Sequence, residues 1–189
     1  MEDIILIGYG GHAKSVADAV ERQGKYAIRG YTDVEEHLSK YQYLGTDAEL
    51  KQFYDSGIKN VVIAIGYMGK GCLREKLYEQ VKTIGFNLPV IKDPASIVSD
   101  SAVIGEGTFI GKGAVINAEA SVGKMAIINT LALVEHECKV ADFAHVAVAA
   151  VLCGNVTVGK AAFVGANATV IQGKIIKAGQ IVPAGETIR

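Results

Sequence analysis

Stepping by six from Val98 meets an aliphatic side chain every time: Val98, Ile104, Ile110, Ile116, Val122, Ile128, Val134, Val140, Val146, Leu152, Val158, Val164, Val170, Ile176 and Val182. Fifteen positions in one register, all Ile, Val or Leu, make a true repeat. Four residues after each, the side chain is usually small, as at Ala102, Thr108, Ala114, Ala120, Ala126, Ala132, Cys138, Ala144, Ala150, Ala162 and Ala168. Glycine often follows the aliphatic position directly, at Gly105, Gly111, Gly123, Gly159 and Gly165. A six-residue unit forms one flat side of a triangular coil, and three units close a turn of about 18 residues, so residues 18 apart stack. One branched aliphatic per side fills the narrow interior, a small residue fits near the corner, and glycine is expected to relax the backbone at the turns. Fifteen units give about five coils. An ordinary β-sandwich has a side-chain period of two and would not hold this register.

The residues before the repeat have a different rhythm. An apolar run at 4–7 ends in Gly8, Gly10 and Gly11, and Val16, Ala17, Ala19 and Val20 then recur at helical spacing. Residues 27–31 read as a second strand, and Thr46 with Glu49 as a capping box for a helix through about Tyr54. The run Val61-Val62-Ile63-Ala64-Ile65 suits a strand buried on both faces. Leu73, Leu77 and Val81 mark another helix, and residues 88–91 a last strand. This alternation predicts a small parallel sheet flanked by helices. The expected fold is therefore an α/β, Rossmann-like parallel sheet over 1–92, followed by an all-β parallel β-helix over 93–189.

Composition narrows the class of function. The 22 glycines against 3 prolines sit among aliphatic residues, which excludes collagen-like and low-complexity chains. With 50% hydrophobic and 21% charged residues the chain is globular, and a net charge of -1 gives no electrostatic case for nucleic acid or an anionic membrane. Three scattered cysteines without a Cys-x-x-Cys pair, no basic leader segment and no long apolar span predict a cytoplasmic protein.

The repeat half resembles the hexapeptide-repeat acyltransferases over roughly 98–187, and that resemblance implies a left-handed coil. Its one concentrated piece of chemistry is Glu135-His136-Glu137, with His145 nine residues beyond His136. Acetyl transfer to an amine needs a base near neutrality, which a neutral imidazole supplies, and a carboxylate to orient it. By itself a histidine beside a glutamate reads first as a surface pair. The glycine loop is the second site. Gly8, Gly10 and Ala13 fit the dinucleotide fingerprint between a strand and a helix, and Asp33 lies at the distance expected of a ribose contact. Alone this says NAD, yet the half is short and no hydride-transfer residues follow. The alternative for His12 is a helix-start residue without a ligand.

The longer string Ile128-Asn129-Thr130, Val134-Glu135-His136-Glu137-Cys138, Asp142-Phe143-Ala144-His145-Val146 and Cys153-Gly154-Asn155-Val156 is similar to the active-site stretch of one subfamily. These are the nucleotide-amino-sugar acetyltransferases that make bacillosamine and perosamine derivatives, with their sialic acid O-acetyltransferase relatives. The resemblance covers nearly the whole chain. It implies His136 as general base and Glu137 as the carboxylate that polarises it. It implies His145, Gly154, Ala166 and Ala184 along the acetyl-CoA groove, Asn129 on the matching coil in contact with that cofactor or with the amino sugar, and Gly10, Gly11, His12, Asp33 and Gly66 around the nucleotide sugar. It further implies acetyl-CoA as co-substrate, no metal, and a homotrimer with its sites between subunits. The expected reaction is N-acetylation of a UDP-linked 4-amino-4,6-dideoxy sugar in bacterial surface-glycan or glycoprotein sugar synthesis.

The chain departs from this pattern in places. Asp33 is followed by Val34 where the family often has a second acid, and Gly66-Tyr67-Met68-Gly69-Lys70-Gly71 is long and glycine-rich. The chain ends at Arg189 soon after the last coil, which leaves contacts to the adenine end of CoA unassigned. Lys14, Lys112, Lys124, Lys160, Lys174 and Lys177 read mainly as solvated residues. Three other functions compete. The zinc-binding γ-type carbonic anhydrases share the coil but use three histidines, and this half holds two. A trimeric nucleotide-binding scaffold would need no base at His136. A sugar O-acetyltransferase, acting on sialic acid for example, could use the same pair.

Overall fold

The computed structural model describes residues 1–69 and 72–189. They divide into two compact units, 1–66 with 72–91, and 67–69 with 92–189.

In the first unit β1 (Glu2–Ile7), α1 (Gly11–Gln23), β2 (Tyr26–Thr32), α2 (Leu50–Asp55), β3 (Asn60–Ile63) and α3 (Leu73–Ile84) follow in order. The sheet is parallel, in the order β2-β1-β3. β1 is central, which is why Ile4, Ile5, Leu6 and Ile7 are all fully buried. Between β1 and β2 the register slips, Ile4 facing Ile28 and Ile5 facing Gly30, so Arg29 is the extra residue of a bulge. The Thr46–Glu49 pair starts a 3-10 turn, Asp47–Glu49, rather than an α-helix directly. Thr46 Oγ1 donates to the Glu49 carboxylate at 2.8 Å, and α2 grows from that turn.

The expected fourth strand at 88–91 is absent from this sheet. Only Asn87 bridges to Asn60, while Ile91–Lys92 forms the first rung of the coil. Pro89 has no N–H to give a ladder, and Ile91, six residues before Ile97, is already in the coil's register.

The second unit is a solenoid of two-residue strands on three faces. The first face holds six strands and includes Ile127–Ile128, His145–Val146, Phe163–Val164 and Ile181–Val182. The second, also of six, includes Leu133–Val134, Val151–Leu152 and Thr169–Val170, and the third, of five, includes Lys139–Val140 and Thr157–Val158. Partners are 18 residues apart and parallel, as Ile127 with His145 and Leu133 with Val151. The sixth-residue aliphatics point inward, so Ile110, Ile128, Val146 and Val164 are fully buried, each stabilising the coil by about 1.5–3 kcal/mol.

The turns correct one expectation. The left-handed residue comes three positions after the aliphatic, and nine of these residues are not glycine, among them Leu131 at φ 58°, Glu137 at φ 60° and Asn155 at φ 56°. The glycine directly after the aliphatic marks close stacking instead: a Cβ on Gly159 would lie 2.4 Å from the Ala178 nitrogen of the next coil.

Candidate active site

The corner between the second and third faces carries the histidine–carboxylate pair. Asn117, one coil before Glu135, donates its side-chain amide to Glu135 Oε1 at 2.9 Å, and Glu135 Oε2 accepts the His136 backbone N–H at 3.1 Å. The peptide leading into His136 is thereby fixed. Glu137 takes the left-handed turn position, which brings its carboxylate back beside the preceding ring. His136 Nδ1–H donates to Glu137 Oε2 at 3.0 Å, so the neutral ring carries its lone pair on Nε2. That ring lies over Gly154, one coil further on. A Cβ on Gly154 would stand 2.5 Å from His136 Cε1 and 2.6 Å from Nε2, so glycine makes room for the imidazole. With side chains 51% and 58% exposed, His136 and Glu137 are open to a substrate.

His145, by contrast, is buried on the first face, and both its ring nitrogens have protein partners. Nδ1 meets the Tyr67 carbonyl, and Nε2 lies 3.2 Å from Asn129 Nδ2. The Asn129 amide is oriented by its own oxygen, which accepts the Thr130 N–H at 2.8 Å. Tyr67 in turn donates its hydroxyl to the Ala161 carbonyl at 2.7 Å, and Phe163 meets the His145 ring edge-on, with centroids 5.1 Å apart. Lys70 and Gly71, the end of the glycine-rich segment singled out in the sequence, lie outside the described residues.

The other expected groove residues fall on two corners. Thr130, Val148, Ala166 and Ala184 stack along the corner between the first and second faces, where the Ala149 N–H bonds the Thr130 carbonyl and the Gly185 N–H the Ala166 carbonyl. Asn129 begins this corner, whereas His136, Glu137 and Gly154 lie on the next one. Between them the second face presents Leu133 and Val151 half-buried, and Leu131 (62%) and Val148 (43%) stand exposed at its edge. Beneath the pair, Cys138 is buried. Its thiol donates to the Cys153 carbonyl at 3.1 Å, and burial pushes its pKa up, which makes it an inert core residue rather than a nucleophile.

In the first unit the glycine loop opens α1. Gly8, at φ 85°, could not bear a side chain, since a Cβ would sit 2.5 Å from Ile65 Cγ1. Gly10 is the N-cap without a side-chain cap, the first turn holds no acid, and a Cβ on Gly10 or Gly11 would meet nothing within 4 Å. The helix's first N–H groups therefore have room for an anion. Gly66 faces His12, where a Cβ would come within 3.5 Å of His12 Cβ. Asp33 Oδ2 accepts the N–H of Tyr9 in the loop at 2.7 Å and lies 3.2 Å from His37 Nε2, while Oδ1 accepts the N–H of its own neighbour Val34 at 2.7 Å. Sequence reasoning missed the aromatic group behind the loop, with Tyr9 stacked on Tyr31 at 4.4 Å and His37, Tyr41 and Tyr43 around them. Its tyrosines follow no period that would reveal it. Among the described residues no group of three or more His, Cys, Asp or Glu is placed to hold a metal. No described helix is long and apolar enough to cross a membrane.

Known proteins are similar to this chain in sequence and fold. Residues 3–81 match the PglD N-terminal domain family. The GDP-perosamine N-acetyltransferase of Escherichia coli O157:H7 is 26% identical over 176 residues, covering 89% of this chain and 77% of that protein. A histidine-to-alanine variant of the GDP-perosamine N-acetyltransferase of Caulobacter crescentus, in complex with CoA and GDP-perosamine, superimposes with a TM-score of 0.94 at 34% identity, covering 100% of this chain and 89% of that one. The acetyltransferase domain of PglB from Neisseria gonorrhoeae superimposes at 0.93 with 29% identity, covering 100% of this chain and 92% of that one. The fold is that of the left-handed β-helix acetyltransferases. The chain belongs to the hexapeptide-repeat sugar N-acetyltransferases of the PglD and perosamine kind, and it is an acetyltransferase.

Proposed function

We propose that this enzyme moves the acetyl group of acetyl-CoA onto the 4-amino group of a nucleotide-linked 4-amino-4,6-dideoxy sugar in the cytoplasm, with His136 as general base. One observation carries the reading: an exposed imidazole held through Nδ1 by Glu137, with its Nε2 lone pair over the bare backbone of Gly154.

In the proposed step the amine nitrogen attacks the thioester carbonyl carbon as Nε2 of His136 takes a proton from that nitrogen. A C–N bond forms and the carbonyl oxygen gains negative charge. Collapse of this adduct breaks the C–S bond, and the imidazolium returns the proton to the departing CoA thiolate. Glu137 stabilises the imidazolium in between. Asn129 and His145 stand at the thioester end, and Gly154, Ala166 and Ala184 offer bare backbone to the pantetheine arm. Gly10, Gly11 and His12 hold the diphosphate at the α1 N-terminus, with Gly66 beside them and Asp33 shaping the loop.

The nucleotide is the finer question. The sequence reading favours uridine, but the Escherichia and Caulobacter relatives are named for GDP-perosamine, which tips the proposal toward guanosine. A CoA-release assay over GDP-, UDP- and dTDP-linked 4-amino sugars, beside free sialic acid, tests it. Turnover is expected on a nucleotide-linked amino sugar, fastest with GDP. Activity confined to free sialic acid would replace this reading with O-acetylation.

We place the working site between copies of the chain in a trimer. His136 and Gly154 sit on one corner of the solenoid and Asn129, Ala166 and Ala184 on another, and the second face between them is apolar at Leu131, Leu133, Val148 and Val151. Leu131→Glu is expected to give monomers in light scattering, with acetyl transfer lost. A mass of one chain for the unaltered protein would refute the assembly.

A further inference from the structure

The hydrogen bonds around His145 form a directed series that neither base chemistry nor the coil requires. It runs from the Ala161 carbonyl through the Tyr67 hydroxyl, then from the Tyr67 carbonyl through the His145 ring to the Asn129 amide. The direction is set at both ends. Asn129 Oδ1 is occupied by the Thr130 N–H, so Nδ2 must face the ring, and an amide nitrogen only donates. His145 Nε2 therefore accepts. At the other side the Tyr67 carbonyl only accepts, so Nδ1 carries the proton. A protonated ring would present N–H to the Asn129 N–H groups, two donors face to face. The site thus selects one neutral tautomer of a buried ring.

We infer that Tyr67 is a positioning residue: its backbone carbonyl, anchored by its own hydroxyl on Ala161, locks His145 as the Nδ1–H tautomer and so aims the Asn129 carboxamide at the acetyl group. One hydrogen of Asn129 Nδ2 is held by His145. The other is left to donate to the carbonyl oxygen as that oxygen gains charge, a role in which pre-set direction matters more than strength. This inference rests on the proposed placing of Asn129 and His145 at the thioester end. Phe163 packs against the ring edge and keeps water from competing for it. His145 then differs from His136 by construction: one imidazole is tied at both nitrogens, the other is tied at Nδ1 and open at Nε2.

The test uses the full-length protein labelled with ¹⁵N-histidine. Long-range ¹H–¹⁵N spectra without substrates are expected to report His145 as the neutral Nδ1–H form across the neutral pH range. In Tyr67→Phe the ring should become a mixture of tautomers. The same variant should lose about tenfold in kcat, the loss of roughly one net hydrogen bond, with both KM values and the melting temperature little changed. An Nε2–H or charged His145 in the unaltered protein overturns the inference, as does a Tyr67→Phe variant with unchanged spectrum and kcat. An Nδ1–H ring in a protein that transfers no acetyl group would instead leave the lock standing and refute the proposed reaction.

Discussion

His136→Ala is expected to lower kcat by about a thousandfold, within the range that a positioned general base contributes. The KM for acetyl-CoA should move by no more than about twofold, because the ring's lone pair acts on the attacking amine and not on the bound thioester. Stability should hardly change. The side chain is half exposed, its Nδ1 partner is an exposed carboxylate, and beneath it lies a glycine rather than a packed core. Glu137→Gln gives the graded counterpart. The amide oxygen can still accept from Nδ1, so the ring keeps its direction, but the negative charge that steadies the imidazolium is gone. A loss of about tenfold is expected, small for such a carboxylate because solvent already screens this pair. Steady-state kinetics on the preferred sugar nucleotide checks both. A His136→Ala protein that keeps more than a tenth of its kcat would refute His136 as the base and place that role elsewhere.

What the sequence disclosed followed from geometry with a fixed period. The interior of the coil is one side chain wide, so each sixth residue must be aliphatic, and the stacking of residues 18 apart is arithmetic. His136 over Gly154 and Asn117 over Glu135 obey the same arithmetic. The lock on His145 does not, because Tyr67 precedes it by 78 residues and contributes a carbonyl, which no residue type signals. Glycine was the other blind spot. Its letter is the same whether the backbone needs a positive φ, as at Gly8, or a close neighbour, as at Gly159. The coil's left-handed positions give no glycine signal where Leu131, Glu137 and Phe143 occupy them. Asp33 lies at the spacing of a ribose contact, but distance along the chain says nothing of which backbone N–H groups reach its carboxylate.

Gly30→Ala should be among the most damaging single-methyl changes in the first unit. Gly30 follows the bulge on β2 and has φ 159°, a region that L residues rarely adopt. A Cβ there would stand 2.5 Å from the Gln42 carbonyl oxygen and 2.6 Å from Leu44 Cγ. Neither neighbour can yield cheaply. Gln42 O accepts the Tyr31 N–H at 2.9 Å and the Leu44 N–H bonds Tyr31 O at 2.9 Å, so the clash falls on a hydrogen-bonded backbone pair. Conformational strain and overpacking together should cost about 3 kcal/mol or more. For a unit of this size the melting temperature should fall by about 12 °C or more. Gly24→Ala isolates the strain alone. Gly24 caps α1 at φ 69°, and a Cβ on it meets nothing within 4 Å, so only the left-handed penalty of about 1 kcal/mol remains. Thermal unfolding of the two variants side by side decides the matter, and equal destabilisation would show that the Gln42 carbonyl is no obstacle. The consequence reaches the glycine loop: Tyr31 follows Gly30 directly and stacks on Tyr9, whose N–H is held by Asp33. At temperatures where the Gly30→Ala chain is still folded, the KM for the sugar nucleotide should therefore rise while that for acetyl-CoA stays constant, since the strain sits in the unit that carries the loop.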